Sequence, residues 1–377
     1  MARKLKSDKV LFTATLLLVC TSVVMVYSAS AVIAMERNND PYLYLFKQGA
    51  FALVGLLLVP IVMRIDYRND RQPSVVWTGV ALVSVALVAA LFTDPIKGAS
   101  RWLSVAGIGI QPSEFAKIVV IIFVASLLEK RMDRIDEPQH ALLPIGIVLG
   151  GIVALILIEP DLGTSVSIVM IAAVMVFAAG INYRYVFGLF LVSLPALYAL
   201  LAFSEYRRRR VLAFLDPWSD PLGDSWQMVQ SMIAVGTGGM VGRGLMGGVQ
   251  KLFYLPEPHN DFIYAVISEE LGLIGATVVL VCFCVITWRG MRTALRAPDR
   301  FGSFLALGLT TMVAFQALFN ISVVLGLLPT KGIPLPFVSY GGSSLIINML
   351  GMGILLNVSQ HASSTHVVTT TLPAADA

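Results

Sequence analysis

The amino-acid sequence predicts an all-α polytopic membrane protein, with ten transmembrane helices and one large ordered extracytoplasmic loop between the seventh and the eighth. Three observations carry this expectation. Hydrophobic residues make up 57% of the 377 positions and charged residues 13%, with a mean hydropathy of +0.80, so lipid rather than water is the solvent. The apolar runs are long and do not alternate, and backbone groups that lipid cannot satisfy must then bond within helices. One connection, 205–261, is much longer than a linker between spans needs to be.

At about 20 apolar residues per span, the runs fall at 10–34, 45–65, 74–93, 112–129, 141–158, 162–181, 184–204, 262–288, 303–328 and 338–358. Arg3, Lys4, Lys6 and Lys9 precede the first run, which has no small-residue cleavage site and reads as an uncleaved span. Lysine and arginine gather in the N-terminal tail and at 64–71, 130–134, 184 and 289–300, whereas the short loops opposite hold Arg37, Lys97, Arg101 and Lys331. That bias puts both termini in the cytoplasm. Residues 1–9 then form a short tail, 10–360 the membrane domain, and 361–377 a flexible cytoplasmic end. The long loop contains Trp218, Trp226, Tyr254 and a glycine-rich stretch at 236–248, which is not the composition of disorder. Cys20, Cys282 and Cys284 all lie in apolar runs, so neither a disulfide framework nor a zinc-ligand spacing is present.

Ionisable residues in a span cost about 2.5 to 3.5 kcal/mol each at its centre, so each needs a partner, a wet cavity or an interface. Glu114 and Lys117 stand three apart on one helix face in QPSEFAK, either as a buried pair or in contact with a charged substrate. Lys97, Arg101 and Trp102 occupy the loop 94–111, where their chemistry suits a phosphate or an ordinary interfacial anchor. The run Arg207 to Arg210 opens the long loop, as an anchor for anionic lipid or a hold on pyrophosphate. In LPEPHNDF, 255–262, His259 and Asp261 stand at the mouth of the eighth helix. Asp261 there is either a general base or a helix N-cap. Glu269 and Glu270 follow, of which at least one should face the interior. Glu159 and Asp161 precede the sixth helix, where an N-terminus favours acids. The proline and glycine density of 329–344, which holds Lys331 and Ser339, rules out a regular helix through it and predicts a segment folded back over an outer cavity.

Taken in order, KGASRWLSVAGIGIQPSEFAK, EPDLGTS, RRRRVLAFLDPWSDP, GTGGMVGRGLMGGVQKLFYLPEPHNDFIYAVISEELG and LLPTKGIPLPFVSYGGSS span nearly the whole chain. Together they resemble the SEDS family of shape, elongation, division and sporulation proteins, and its division branch more than its elongation branch. Asn260 departs from the family, which usually has Thr between His and Asp. The resemblance implies a peptidoglycan glycosyltransferase that polymerises lipid II at the outer face of the inner membrane during division. It implies a partner, a class B penicillin-binding protein (a transpeptidase of the FtsI kind), together with other divisome membrane proteins. Asp261 matches the family's catalytic aspartate, and Glu114 and Lys117 match its paired acid and base. Lys97, Arg101, Glu114, Lys117, Arg207, Arg210, His259, Lys331 and Ser339 are the expected substrate-binding set. A divalent cation, magnesium or manganese, is compatible with this chemistry, although no ligand cluster in the sequence demands one. A lipid II flippase and a non-catalytic division scaffold are the rival readings; the concentration of distinctive segments on the outer side favours chemistry there.

Overall fold

The computed structural model describes residues 7–368, apart from 95–99, 106–107, 136, 138, 186, 189–190, 192–194, 196–197, 199–201 and 204. The described residues form eleven α-helices: α1 (Lys9–Asn38), α2 (Leu43–Val62), α3 (Pro73–Leu91), α4 (Pro112–Arg131), α5 (Leu142–Ile158), α6 (Leu162–Ala178), α7 (Glu205–Leu215), α8 (Trp226–Gly238), α9 (Ile263–Arg296), α10 (Arg300–Val324) and α11 (Gly342–Val368). Six of them, α1, α2, α3, α9, α10 and α11, are long and apolar enough to cross a membrane. α4 has the length but carries Glu114, Lys117 and Glu129, and α5 and α6 have 17 residues each. Nine of the ten runs read from the sequence coincide with these helices, and the one at 184–204 lies largely outside the described residues.

Burial ranks the helices. α10 and the spanning part of α11 bury 72% and 78% of their spanning windows, against 22% for α2 and α3. α10 and α11 therefore sit at the centre, and α2 and α3 present most of their surface to the surroundings. The long connection is ordered where it is described: α7 and α8 lie within it. In the loop before α4, Leu103–Val105 pairs antiparallel with Ile108–Ile110, Leu103 opposite Ile110. This hairpin is a departure from the purely helical expectation. Its alternating Leu, Val and Ile suit a short strand pair, but three residues per strand are too few to register as a period.

The sequence reads one straight span from 262; the structure breaks it. α9 has non-helical backbone at Gly272, φ 66° and ψ −166°, a left-handed φ that a residue with a Cβ adopts only under strain. Tyr264 Oη donates to Ala276 O at 3.2 Å, although a straight helix would separate twelve residues by about 18 Å. The nine residues before the break thus fold back against the helix that follows. The loose helix ends are satisfied by the glycine-rich stretch after α8. Arg243 and Gly244 N–H donate to the carbonyls of Glu269 and Glu270, while Leu273 and Ile274 N–H donate to those of Gly239 and Met240. Four backbone groups that a break would strand are paired in this way.

Candidate functional site

Asp261 stands one residue outside the first turn of α9. The N-cap position belongs to Phe262, which makes no side-chain cap bond, so the helix-cap reading of Asp261 is not realised. What fixes it is the backbone on either side. Three successive carbonyls accept from the α10–α11 region: His259 O from Tyr340 N at 2.9 Å, Asn260 O from Ser339 Oγ at 2.7 Å, and Asp261 O from Asn320 Nδ2 at 2.8 Å. Asn320 Nδ2 also donates to Ile333 O at 2.8 Å, tying the loop that carries Asp261 to the segment that faces it. Ser339 in turn accepts from Leu335 N at 2.8 Å. Buried His259 packs its ring 4.9 Å from that of Tyr44 and 5.6 Å from that of Tyr340.

The facing segment comes very close at Gly332. A Cβ placed there would lie 2.8 Å from Asp261 Oδ2 and would force the carboxylate to move. On its other side this peptide meets α6, where a Cβ on Gly163 would lie 3.5 Å from Gly332 O and 3.6 Å from Asp161 Oδ1. Asp161 is the N-cap of α6: its carboxylate accepts from Thr164 N, Thr164 Oγ1 and Gln111 Nε2. The carboxylates of Asp161 and Asp261 thus flank the backbone at Gly332, and the half-buried Lys331 is the residue before it.

The arginines expected to grip phosphate do something else as well. Arg101 donates from Nε to Glu159 O and from Nη2 to Pro160 O, both at 2.8 Å. Arg210 Nη1 donates to Thr330 O at 3.1 Å. Each guanidinium pins a turn beside the Gly332 segment. Lys97 lies outside the described residues, and Arg207 is placed on α7 by its backbone alone. Glu159, which follows the last residue of α5, is buried, and neither carboxyl oxygen has a hydrogen-bond partner among the described residues. Burial and the nearby Asp161 push its carboxyl up to about 8, against a smaller downward pull from Arg101.

Glu114 and Lys117 are both buried and meet each other, Nζ to Oε2 at 2.9 Å, which is the paired-charge reading of that motif. Two further buried acids bind the long connection to the bundle. Glu270 accepts from Lys251 Nζ at 2.6 Å and from Ser28 Oγ of α1. Glu269 accepts from Val249 N at 2.8 Å and lies 3.5 Å from Arg243 Nη1. Both face inward, each to its own partners. The contribution of Lys251 carries no motif; a lone lysine in a loop reads as solvated until its partner is known.

The chain is similar to known proteins over nearly its whole length. The model of the FtsW, RodA and SpoVE family, described as cell cycle protein, matches residues 8–364. A probable peptidoglycan glycosyltransferase FtsW of Geobacter metallireducens is 44% identical over 359 residues, covering 95% of this chain and 96% of that protein. Stage V sporulation protein E of Bacillus subtilis is 41% identical over 362 residues, covering 96% and 99%. Among solved structures, a chain from a peptidoglycan synthase complex that coordinates polymerization and crosslinking superposes with a TM-score of 0.78 at 27% identity, over 95% of this chain and 99% of its own. The rod shape determining protein RodA of Thermus thermophilus does so with a TM-score of 0.70 at 26% identity, over 94% and 97%. With a family match over nearly the whole length and relatives above 40% identity, this chain belongs to the FtsW, RodA and SpoVE family of cell cycle proteins.

Proposed function

We propose that this chain is a peptidoglycan glycosyltransferase that polymerises lipid II into β-1,4 glycan strands at the outer face of the inner membrane, at the division septum. The observation that carries the reading is the setting of Asp261. Its backbone is held at three consecutive carbonyls by Tyr340, Ser339 and Asn320, and its carboxylate lies beside Gly332, one residue before the N-cap position. A carboxylate held this way is prepared to accept a proton at a fixed place, which is what a weak hydroxyl nucleophile requires.

In the step, Asp261 takes the proton of the acceptor sugar's 4-hydroxyl as that oxygen bonds to the donor's anomeric carbon. The bond from that carbon to the α-linked undecaprenyl diphosphate breaks, the electron pair leaves with the diphosphate, and configuration inverts. Cations oppose the charge that develops on the leaving group. Lys331 adjoins the residue that faces Asp261, Arg101 and Arg210 hold the turns around it, and Lys97 and Arg207 complete the basic set read from the sequence. Among the described residues no group of three or more His, Cys, Asp or Glu is placed to hold a metal, and no step here is routed through one. Chelation during turnover, with magnesium or manganese restored, tests the requirement.

The same reading counts ten spans with both termini in the cytoplasm, and takes a class B penicillin-binding protein as the crosslinking partner. The likeness to a chain from a complex joining polymerization to crosslinking supports the partner. The deciding experiment is polymerisation of labelled lipid II by the purified chain with that partner, wild type against Asp261→Asn at equal folded yield. Strands from wild type and at least a hundredfold fewer from the variant are expected. Equal strands from both would remove Asp261 from the chemistry. None from either, with lipid II crossing vesicle bilayers, would favour a flippase.

A further inference from the structure

A second site lies where α1 begins and α9 ends, well away from the glycine break. There a cavity of about 580 Å³ opens among Asp8, Lys9, Val10, Arg289, Arg292 and Arg296, a volume within the range of ligand pockets, about 300 to 1,000 Å³. The arginines recur at spacings of three and four, so α9 turns one basic face into it. Asp8 is the only acid in the lining among the described residues, and it is already used. It caps α1 by accepting from Val10 N and Leu11 N, and its other oxygen accepts from Arg289 Nε at 2.6 Å. Lys9, Arg292 and Arg296 add three positive charges around the same space, so the cavity is set for an anion.

Its rim is apolar. Val10 lines the cavity and is 48% exposed, and Trp288, Met291 and Leu295 are exposed on the neighbouring stripe of α9. Arg289 stacks over Trp288, 5.6 Å from guanidinium carbon to ring centroid; tryptophan is the side chain that marks headgroup level. A soluble anion needs the charges but not the rim; a lipid uses both. We propose that this cavity binds the phosphate of an anionic phospholipid, its headgroup among Lys9, Arg292 and Arg296 and its acyl chains along the α1–α9 flank. The leaflet follows from the proposed orientation, which puts this end at the cytoplasmic face. Lipid binding is read without polymerisation, so either proposal can fail alone.

The test is native mass spectrometry of the full chain in detergent, with phosphatidylglycerol or phosphatidylcholine added at equal concentration. Preferential retention of phosphatidylglycerol is expected, and Arg292→Gln/Arg296→Gln should retain it roughly 25-fold less, at about fivefold per charge removed. Lys130→Gln/Arg134→Gln removes the same charge from the last turn of α4 and the turn that follows it, neither of which lines the cavity, and should retain it as wild type does. If the first double variant fails to fold, Lys9→Gln reads the same cavity with an expected fivefold loss. Equal retention of the two lipids, or equal weakening by both double variants, would overturn the site in favour of diffuse surface charge. Binding of inorganic phosphate as tight as that of phosphatidylglycerol would overturn the lipid and leave a soluble phosphate as the ligand.

Discussion

Gly332 and Asp261 are in contact across a gap that admits no side chain: a methyl group on Gly332 would sit 2.8 Å from the Oδ2 of Asp261. Gly332→Ala should therefore turn the carboxylate aside while the bundle stays folded. Displacement of a catalytic group by about 1 Å can cost on the order of a hundredfold, so strand synthesis should fall by at least tenfold with an unchanged melting temperature. A fully active Gly332→Ala chain would show that the orientation of this carboxylate is irrelevant to turnover.

Asn320 serves two carbonyls from one amide, those of Asp261 and Ile333. Asn320→Ala strands both in a buried setting, at about 1 to 3 kcal/mol for each group left unsatisfied. The melting temperature should drop by several degrees and activity by more than the stability loss accounts for. Turnover measured well below the melting transition separates the two effects.

Lys251, Glu270 and Ser28 form a buried node joining the long connection, α9 and α1. Lys251→Met leaves the carboxylate of Glu270 buried without its counter-charge, a change that costs about 3 to 5 kcal/mol where such pairs are broken. Adding Glu270→Gln removes the stranded charge. The double variant should regain most of the lost stability, read by thermal melting in detergent. A double variant no more stable than Lys251→Met would mean that the ion pair is not what holds the loop.

Glu159 gives a pH signature. Its carboxyl is raised by burial, then by Asp161, to about 8 in the folded chain, from an ordinary value of 4.5. The folded state therefore holds a proton that the unfolded state has released between those two values, and this residue's contribution to stability falls as pH rises from 4.5 to 8. Glu159→Gln keeps the shape and removes the titration. The variant should melt like wild type near pH 4.5 and above it at pH 8; parallel curves across that range would refute the buried-acid reading.

Much of this was legible in the sequence, and the limits are physical. The Glu114–Lys117 pair could be read because both partners lie on one helix, three residues apart. Asp261 could be singled out because a carboxylate at the mouth of an apolar span is either a helix cap or a group within reach of substrate and water, and its place in LPEPHNDF matches the family's catalytic aspartate. Asn320 could not. It lies in an apolar run like any buried polar residue, and its partners are 59 and 13 residues away in the chain. Nor could the break at Gly272, since LGLIGA reads as uninterrupted helix until the carbonyls of Gly239 and Met240 are known to receive the N–H groups beyond it. Arg101 and Arg210 could be flagged by residue type, but not the backbone carbonyls they hold, since those lie 58, 59 and 120 residues away in the chain.

The three carbonyl clamps behind Asp261 also bear on how such an enzyme can be stopped. Tyr340, Ser339 and Asn320 grip the chain at the back of Asp261, the proposed base. A small apolar wedge seated between that chain and the α10–α11 connector would switch the enzyme off without resembling its substrate, and resistance by altering the substrate pocket would not remove it.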